Sequence, residues 1–319
     1  VNGRHLFCFG LGYSARALGR RLAGEGWTVR GTSRGDQSAA TAPDDGFATI
    51  PFERHRPLPA AALHGVSHVL VSIPPEAEGD PVLDRLADAI AALPGLAWLG
   101  YLSTTAVYGD RGGGWVDETA AVAPSGERGR RRVAAEAGWR ELGRRRNVPV
   151  HIFRLAAIYG PGRGLFAALR AGTARRIDAP GQLFSRIHVD DLAMAIAASI
   201  AQPRPGAVYN VCDDEPAAPA AVVAHAAELL GVPPPPLIPL AAAGLSPLAA
   251  SFYADSKRVD NALIKRELGL AWRYPDYRAG LAAILAAEAL GLPKRPASGM
   301  VGGNGVAVPD RCPGSGGKL

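Results

Sequence analysis

The sequence predicts an α/β protein, a doubly wound parallel sheet followed by a smaller C-terminal α/β domain. Three observations carry that reading. Through residue 156 or so, short apolar runs alternate with helix-like segments, as strands covered on both faces require. A glycine-spaced turn, GLGYSA, separates the first run from the first helix. Beyond it all, the last third loses the alternation and becomes rich in proline and alanine.

The elements follow in order. HLFCFG (5–10) reads as the first strand, and a helix runs on through ALGRRLAGEG. WTVRGTS (27–33) is the second strand and FATI (47–50) a short third. SHVLVSI (67–73) is the fourth, stopped by Pro74 and Pro75, since proline cannot donate to a ladder. DPVLDRLADAIAAL has the periodicity of an amphipathic helix, and AWLGYLST (97–104) is the fifth strand. The arginine-rich stretch to Arg146 reads as a long helix, and VPVHIFRLA (148–156) as the sixth strand. IYGPGRG then reads as a loop. FSRIHVDDLAMAIAASIA begins strand-like and turns helical, with Asp190 and Asp191 expected as N-cap and first-turn acids. AVYNVCD (207–213) is a further strand, VVAHAAELLG a helix stopped by Gly231, and VPPPP (232–236) a stiff connector. From Pro293 the chain holds little to bury, and 293–319 is expected to be a disordered tail.

Composition narrows the function classes. The chain has 319 residues, 48% hydrophobic and 20% charged, the balance of an ordinary globular protein. Charge or proline breaks every apolar run before the roughly 20 residues a membrane span needs. No hydrophobic signal segment precedes HLFCFG, so a cytoplasmic location is expected. Cys8, Cys212 and Cys312 are scattered without CxxC spacing, which speaks against a disulfide framework or a structural zinc site. His188 lies near Asp190 and Asp191, but no further ligand set accompanies it, and no metal is expected. Net charge is +6, mostly from arginine, since the lysines are Lys257, Lys265, Lys294 and Lys318 alone. Glu127, Glu136 and Glu141 interrupt the densest basic stretch and no aromatic stacking motif joins it, so nucleic acid is not an expected partner.

The glycine turn carries the cofactor signal. Gly10, Gly12 and Ala15 make GxGxxA between a strand and a helix. The first glycine permits the tight turn, the second lets the backbone approach a pyrophosphate, and the small Ala15 lets helix and sheet pack closely. Tyr13, Ser14 and Ala15 begin the helix, whose N-terminal amides would bind phosphate. This is the Rossmann arrangement for NAD(P). At the end of strand two the acid that favours NAD is replaced by Thr32, with Arg34 shortly after. Arg34 could take the 2′-phosphate of NADP, while Asp36 keeps NAD open as the second choice.

At YLSTTAVYGDRGGGWVDE (101–118) the sequence resembles the extended short-chain dehydrogenases/reductases, the superfamily of NAD(P)-dependent epimerases, dehydratases and reductases. FRLAAIYGPG (153–162), RIHVDDLA (186–193), VYNVCDDEP (208–216) and KRVDNALIKRELG (257–269) extend the match, in order, from residue 5 to about 290. VSIPP and the lack of a clean Tyr–Lys pair are similar to an atypical bacterial branch labelled YeeZ-like. The resemblance implies a Rossmann domain over 1–156, completed by about 186–213, and a substrate domain from 157–185 and 214–292. It also implies that Ser72, Ile73 and Pro74 line the cofactor, and that Thr104 hydrogen-bonds the reacting oxygen. The Asp–Glu pair of the sugar dehydratases is replaced by Thr105 and Ala106, which speaks against dehydration.

The family's catalytic helix carries Tyr–x–x–x–Lys. Aligned on RVAAE, Arg132 takes the Lys position and Arg128 the Tyr position. Arg132 keeps the charge and can still donate to a ribose. Arg128 is different in kind, because a guanidinium stays protonated and cannot cycle a proton. The pair Arg128 and Arg132 could instead face the cleft and bind an anion, either a cofactor phosphate or an acidic substrate. Tyr108, Tyr159 and His188 are the candidate substitutes for the missing phenol, and Tyr253–Lys257 reads as a chance match. The expected function is NAD(P)-dependent hydride exchange with an alcohol or carbonyl compound, sugar nucleotides included. The alternative is a non-catalytic NADP-binding sensor or scaffold. A monomer or homodimer acting on a small molecule fits either.

Overall fold

The computed structural model describes residues 3–35 and 46–290; the expected tail at 293–319 and Asp36 lie outside them. Seven strands form the central sheet: β1 (His5–Phe9), β2 (Thr28–Ser33), β3 (Ala48–Pro51), β4 (His68–Val71), β5 (Trp98–Thr104), β7 (Val150–Leu155) and β11 (Val208–Val211). Their order is β11-β7-β5-β4-β1-β2-β3, and every pair is parallel. The chain builds outward from β1 through β2 and β3, then returns to lay β4 on the other side of β1. The reversal leaves a crevice beyond the carboxyl ends of β1 and β4, where open α/β sheets bind ligands.

The period-2 alternation of a strand decides which face each residue feeds. Leu6 and Cys8 join one core, under α1 (Tyr13–Ala23), α5 (Val189–Ala201) and α8 (Ala262–Leu268). Phe7 and Phe9 join the other, under α2 (Pro81–Ala91) and α3 (Glu127–Arg146). Between these elements come β6 (Trp115–Val116), β8 (Ala157–Tyr159), α4 (Leu165–Arg170), β9 (Arg176–Asp178) and β10 (Arg186–His188). The last third adds α6 (Pro219–Leu229), β12 (Leu237–Pro239), α7 (Pro247–Phe252), β13 (Arg258–Val259) and α9 (Tyr277–Ala289). A third core gathers Phe166 and Leu169 of α4, Ala226 and Ala227 of α6, and Leu281 and Ile284 of α9. The short strands pair as β10 with β8, β12 with β9 and β13 with β6, apart from the central sheet.

Three local expectations change. Strand four ends at Val71, not at residue 73; the Ser72 amide still donates to the Phe9 carbonyl at 2.9 Å, and its hydroxyl donates to the Gly10 carbonyl at 2.6 Å. IYGPGRG is not all loop, since Ala157–Tyr159 pairs with Arg186–His188. The N-cap of α5 is His188, whose Nδ1 accepts from the Asp190 amide at 3.2 Å. Asp191, fully buried, instead accepts from the amides of Arg273 and Tyr274, both at 2.9 Å, tying α5 to the chain ahead of α9.

Candidate active site

The turn after β1 is clasped from two sides. The Gly10 amide donates to the Thr32 hydroxyl at 2.9 Å, and its carbonyl accepts from Ser72. Gly10 has φ +85°, and a Cβ there would stand 2.8 Å from Ser72 Oγ and 3.0 Å from Ile73. Only glycine fits. Gly12 is the opposite case. It is the N-cap of α1, its φ of −93° suits any residue, and a Cβ would meet nothing within 4 Å. The protein's own packing gives no reason for glycine at 12, so the space beyond it fits a ligand that approaches the backbone.

That ligand is anionic by the chemistry of the surroundings. No side chain caps α1 and no acid stands in its first turn, so the positive end of the helix dipole is uncompensated. Ala15 is buried against the sheet, as the small residue of the motif requires. Tyr13 reaches across to donate its hydroxyl to the Pro161 carbonyl at 3.0 Å. The Arg163 guanidinium lies 4.2 Å over the Tyr13 ring, and its buried Nε has no hydrogen-bond partner. Sequence reasoning missed Arg163; the available signal was an arginine inside the glycine-rich GPGRG.

At the end of β2, Thr32 is buried and committed to the glycine turn, while Arg34 is exposed. Its neighbour Gly35 donates its amide to Glu53 Oε1 at 3.2 Å, which brings an acid to this corner that the sequence did not single out. Pro74, exposed, follows Ile73 at the rim of the same crevice.

The end of β5 carries Thr104. Its Oγ1 accepts from the Ala106 amide at 3.2 Å, capping the turn that follows. Accepting there leaves the hydroxyl proton uncommitted by that bond. Helix α3 seats against that turn at Gly129, where a Cβ would come within 2.9 Å of the Ala106 carbonyl. The seat brings the Arg128–Arg132 turn of α3 to the end of β5, within two residues of Thr104 along that strand. Arg132 Nη1 donates to the Leu102 carbonyl and, at 3.3 Å, to the Tyr101 hydroxyl. Arg128 lies 5.3 Å over the ring of Phe252, at the end of α7. Burial and the adjacent Arg132 charge pull its pKa down from the usual arginine value.

None of the three candidate phenol substitutes is free to exchange a proton. Tyr108 is fully buried, donating to Asn210 Oδ1 at 2.7 Å and accepting from Arg154 at 3.0 Å. Arg154 in turn forms a buried bidentate pair with Glu136, whose other partner is the Ser103 hydroxyl at 2.5 Å. Tyr159 donates to the Asp276 carbonyl at 3.2 Å, and burial drives its pKa up. His188 is buried as the cap of α5. Tyr101 does touch Arg132, but it lies fully buried in β5 with its pKa raised by that burial. Tyr253–Lys257 is no helical pair, because α7 ends at Phe252 and Lys257 turns to Asp255 at 3.5 Å. Among the described residues, no cluster of His, Cys, Asp or Glu could hold a metal, and no helix is long and apolar enough to cross a membrane.

A seven-stranded parallel sheet whose reversal point opens onto an unfilled glycine turn defines a Rossmann-type α/β protein. Residues 82–212 match the model of the NAD dependent epimerase/dehydratase family. The chain is 28% identical over 285 residues to protein YeeZ of Escherichia coli strain K12, covering 84% of this chain and 95% of YeeZ. A solved structure of a functionally unknown conserved protein from Silicibacter pomeroyi DSS is 52% identical, with a TM-score of 0.81 over 88% of this chain and 98% of that one. The fold is also that of UDP-glucuronic acid 4-epimerase from Bacillus cereus in complex with NAD. There the TM-score is 0.70 at 16% identity, over 91% of this chain and all of that one.

Proposed function

We propose that the chain binds a nicotinamide dinucleotide, NADP ahead of NAD, and exchanges hydride between it and an alcohol or carbonyl compound at Thr104. The observation that carries this reading is the open space over Gly12 at an uncapped helix N-terminus, with the orphaned Arg163 Nε opposite. Gly10, Gly12, Tyr13, Ser14, Ala15, Ser72, Ile73 and Pro74 surround the pyrophosphate and its approach. Arg34, exposed and without an acid at the Thr32 position, favours the 2′-phosphate. When bound, the nicotinamide supplies or accepts the hydride. Thr104 donates a hydrogen bond to the reacting oxygen, and the fixed charge of Arg132 stabilises the alkoxide that develops there. Neither arginine cycles a proton, so the proton that completes a reduction comes from solvent at the open mouth of the cleft. Epimerases that act on sugar nucleotides within the same fold make such compounds natural members of a substrate panel.

The test is consumption of NADPH across aldehydes, ketones, oxo acids and sugar nucleotides, by the wild-type chain and by Thr104→Val. Turnover by the wild type that falls about 100-fold in the variant, and returns in Thr104→Ser, supports the reading. Equal turnover in Thr104→Val sinks it. Arg128 in the phenol's place favours a second reading, a dinucleotide-binding sensor, which predicts NADPH binding with no turnover on any member.

A further inference from the structure

Five arginines of α3 pair with acids: Arg130 and Arg131 with Glu127, Arg144 and Arg145 with Glu141, and Arg146 with Asp88. Arg140 is exposed to solvent, with no salt bridge among the described residues. Arg128 and Arg132, one turn apart on the inner side, have no salt bridge among the described residues. Glu127 is taken by its outer neighbours, and Glu136 by Arg154 and Ser103. Asp80 is the acid nearest in effect to Arg132, but its carboxylate is occupied by the amides of Val82 and Leu83 and by Trp139 Nε1. Two like charges at i and i+4 destabilise a helix. Here they flank the end of β5, where Arg132 reaches the Leu102 carbonyl.

The position also says which anion the pair could take. In the sheet, β5 is separated from β1 by β4, so the strand end that α3 flanks lies about 10 Å from the glycine turn. With the pyrophosphate over Gly12 as proposed above, this end of the crevice is left to the reacting end of the dinucleotide and its substrate. The Arg128 guanidinium lies over the Phe252 ring, and Arg132, whose Nη1 is spent on the Leu102 carbonyl and the Tyr101 hydroxyl, keeps its Nε and Nη2 donors; together they offer the N–H groups a carboxylate takes.

We propose that Arg128 and Arg132 form a carboxylate-binding pair beside Thr104, so that the substrate is a 2-oxo or 2-hydroxy acid. The inference rests on the hydride-exchange reading above. In the reducing direction, hydride from the reduced dinucleotide forms the new C–H bond at the 2-carbon. The carbonyl π pair moves to oxygen, and a solvent proton completes the hydroxyl. The products are the 2-hydroxy acid and the oxidised dinucleotide. The carboxylate stays on the arginines throughout.

The experiment has two arms on the full chain. The first compares kcat/KM for short 2-oxo acids with that for their neutral amides and methyl esters, with NADPH. The acids should win by about 100-fold or more in the wild type, and Arg128→Met should cut that preference below about 10-fold, mostly through KM. Arg128→Lys, which keeps the charge without the fork, should fall between. The second arm titrates oxalate, and separately inorganic phosphate, into the NADP-loaded protein by calorimetry. Oxalate should bind the wild type at least about 10-fold tighter than Arg128→Met, and phosphate should bind more weakly than oxalate. Matching melting temperatures establish that Arg128→Met is folded. Equal rates on acids and amides, oxalate affinity unchanged in Arg128→Met, or phosphate binding as tight as oxalate would each overturn the carboxylate pair. Absence of NADPH binding would instead remove the reading beneath it.

Discussion

Gly12→Ala separates folding from cofactor binding more cleanly than any other single change in this chain. The added methyl meets no atom within 4 Å, and the φ of −93° is ordinary for alanine. Losing a glycine stabilises the fold by about 0.4–1 kcal/mol through the unfolded chain. Losing glycine as N-cap of α1 costs a similar amount, about 0.5–1 kcal/mol, because alanine caps poorly. The two offset, and net stability should stay within about 0.5 kcal/mol of wild type. Binding should not survive, because the methyl occupies the space through which a pyrophosphate reaches the backbone. The expected loss is at least 100-fold in the Kd for NADPH, about 2.7 kcal/mol. Tryptophan fluorescence titration with NADPH, alongside urea unfolding, reads both quantities. Gly31→Ala is the control of opposite sign, since its Cβ would collide with the Cys8 carbonyl in β1 and cost stability, roughly 1–3 kcal/mol. If Gly12→Ala bound NADPH as tightly as the wild type does, the assignment of this space to the cofactor would be wrong.

Three further outcomes follow from the same geometry. A guanidinium in the phenol's place cannot act as a general acid or base, so kcat/KM of the wild type should show no inflection between about pH 8 and 10. Arg128→Tyr should introduce one, from a phenol next to the Arg132 charge. Glu136→Gln should lower unfolding free energy in urea by about 3–5 kcal/mol, because it leaves the Arg154 guanidinium buried without its counter-charge. Asp213, buried against a partly compensating Arg186, has its pKa pushed up to about 8, chiefly by burial. The native state therefore holds a proton there that the unfolded chain, with the ordinary value of 3.8, releases. Stability contributed by that proton is full at low pH and is lost as pH rises toward 8. Relative to Asp213→Asn, the wild type should weaken by up to about 1.4 kcal/mol per pH unit between pH 5 and 8. Parallel stability curves for the two proteins would contradict the buried, protonated carboxyl.

What could be read from the sequence was what is local. The glycine turn, the apolar strand HLFCFG before it, and the long helix of α3 are each set by neighbours a few residues apart. The expected strands of the central sheet all exist, most with ends trimmed by one or two residues. What could not be read depends on partners distant along the chain. The Ser72 hydroxyl meets the Gly10 carbonyl, His188 caps α5, and Asp191 in the first turn of that helix is held by the amides of Arg273 and Tyr274. Arg163 over Tyr13, and Phe252 under Arg128, join segments that no periodicity relates. The sequence singled out Tyr108 as a spare phenol, but only the fold shows it locked between Asn210 and Arg154.

The most direct test is a crystal structure of the full chain grown with NADP. The account predicts the pyrophosphate over Gly12 at the start of α1, contacted by Arg163, with the nicotinamide reaching the crevice edge beside Thr104. A substrate oxygen held there should lie about 3 Å from the Thr104 hydroxyl. Dinucleotide bound elsewhere, or bound with its nicotinamide directed away from Thr104 and the α3 arginines, would contradict it.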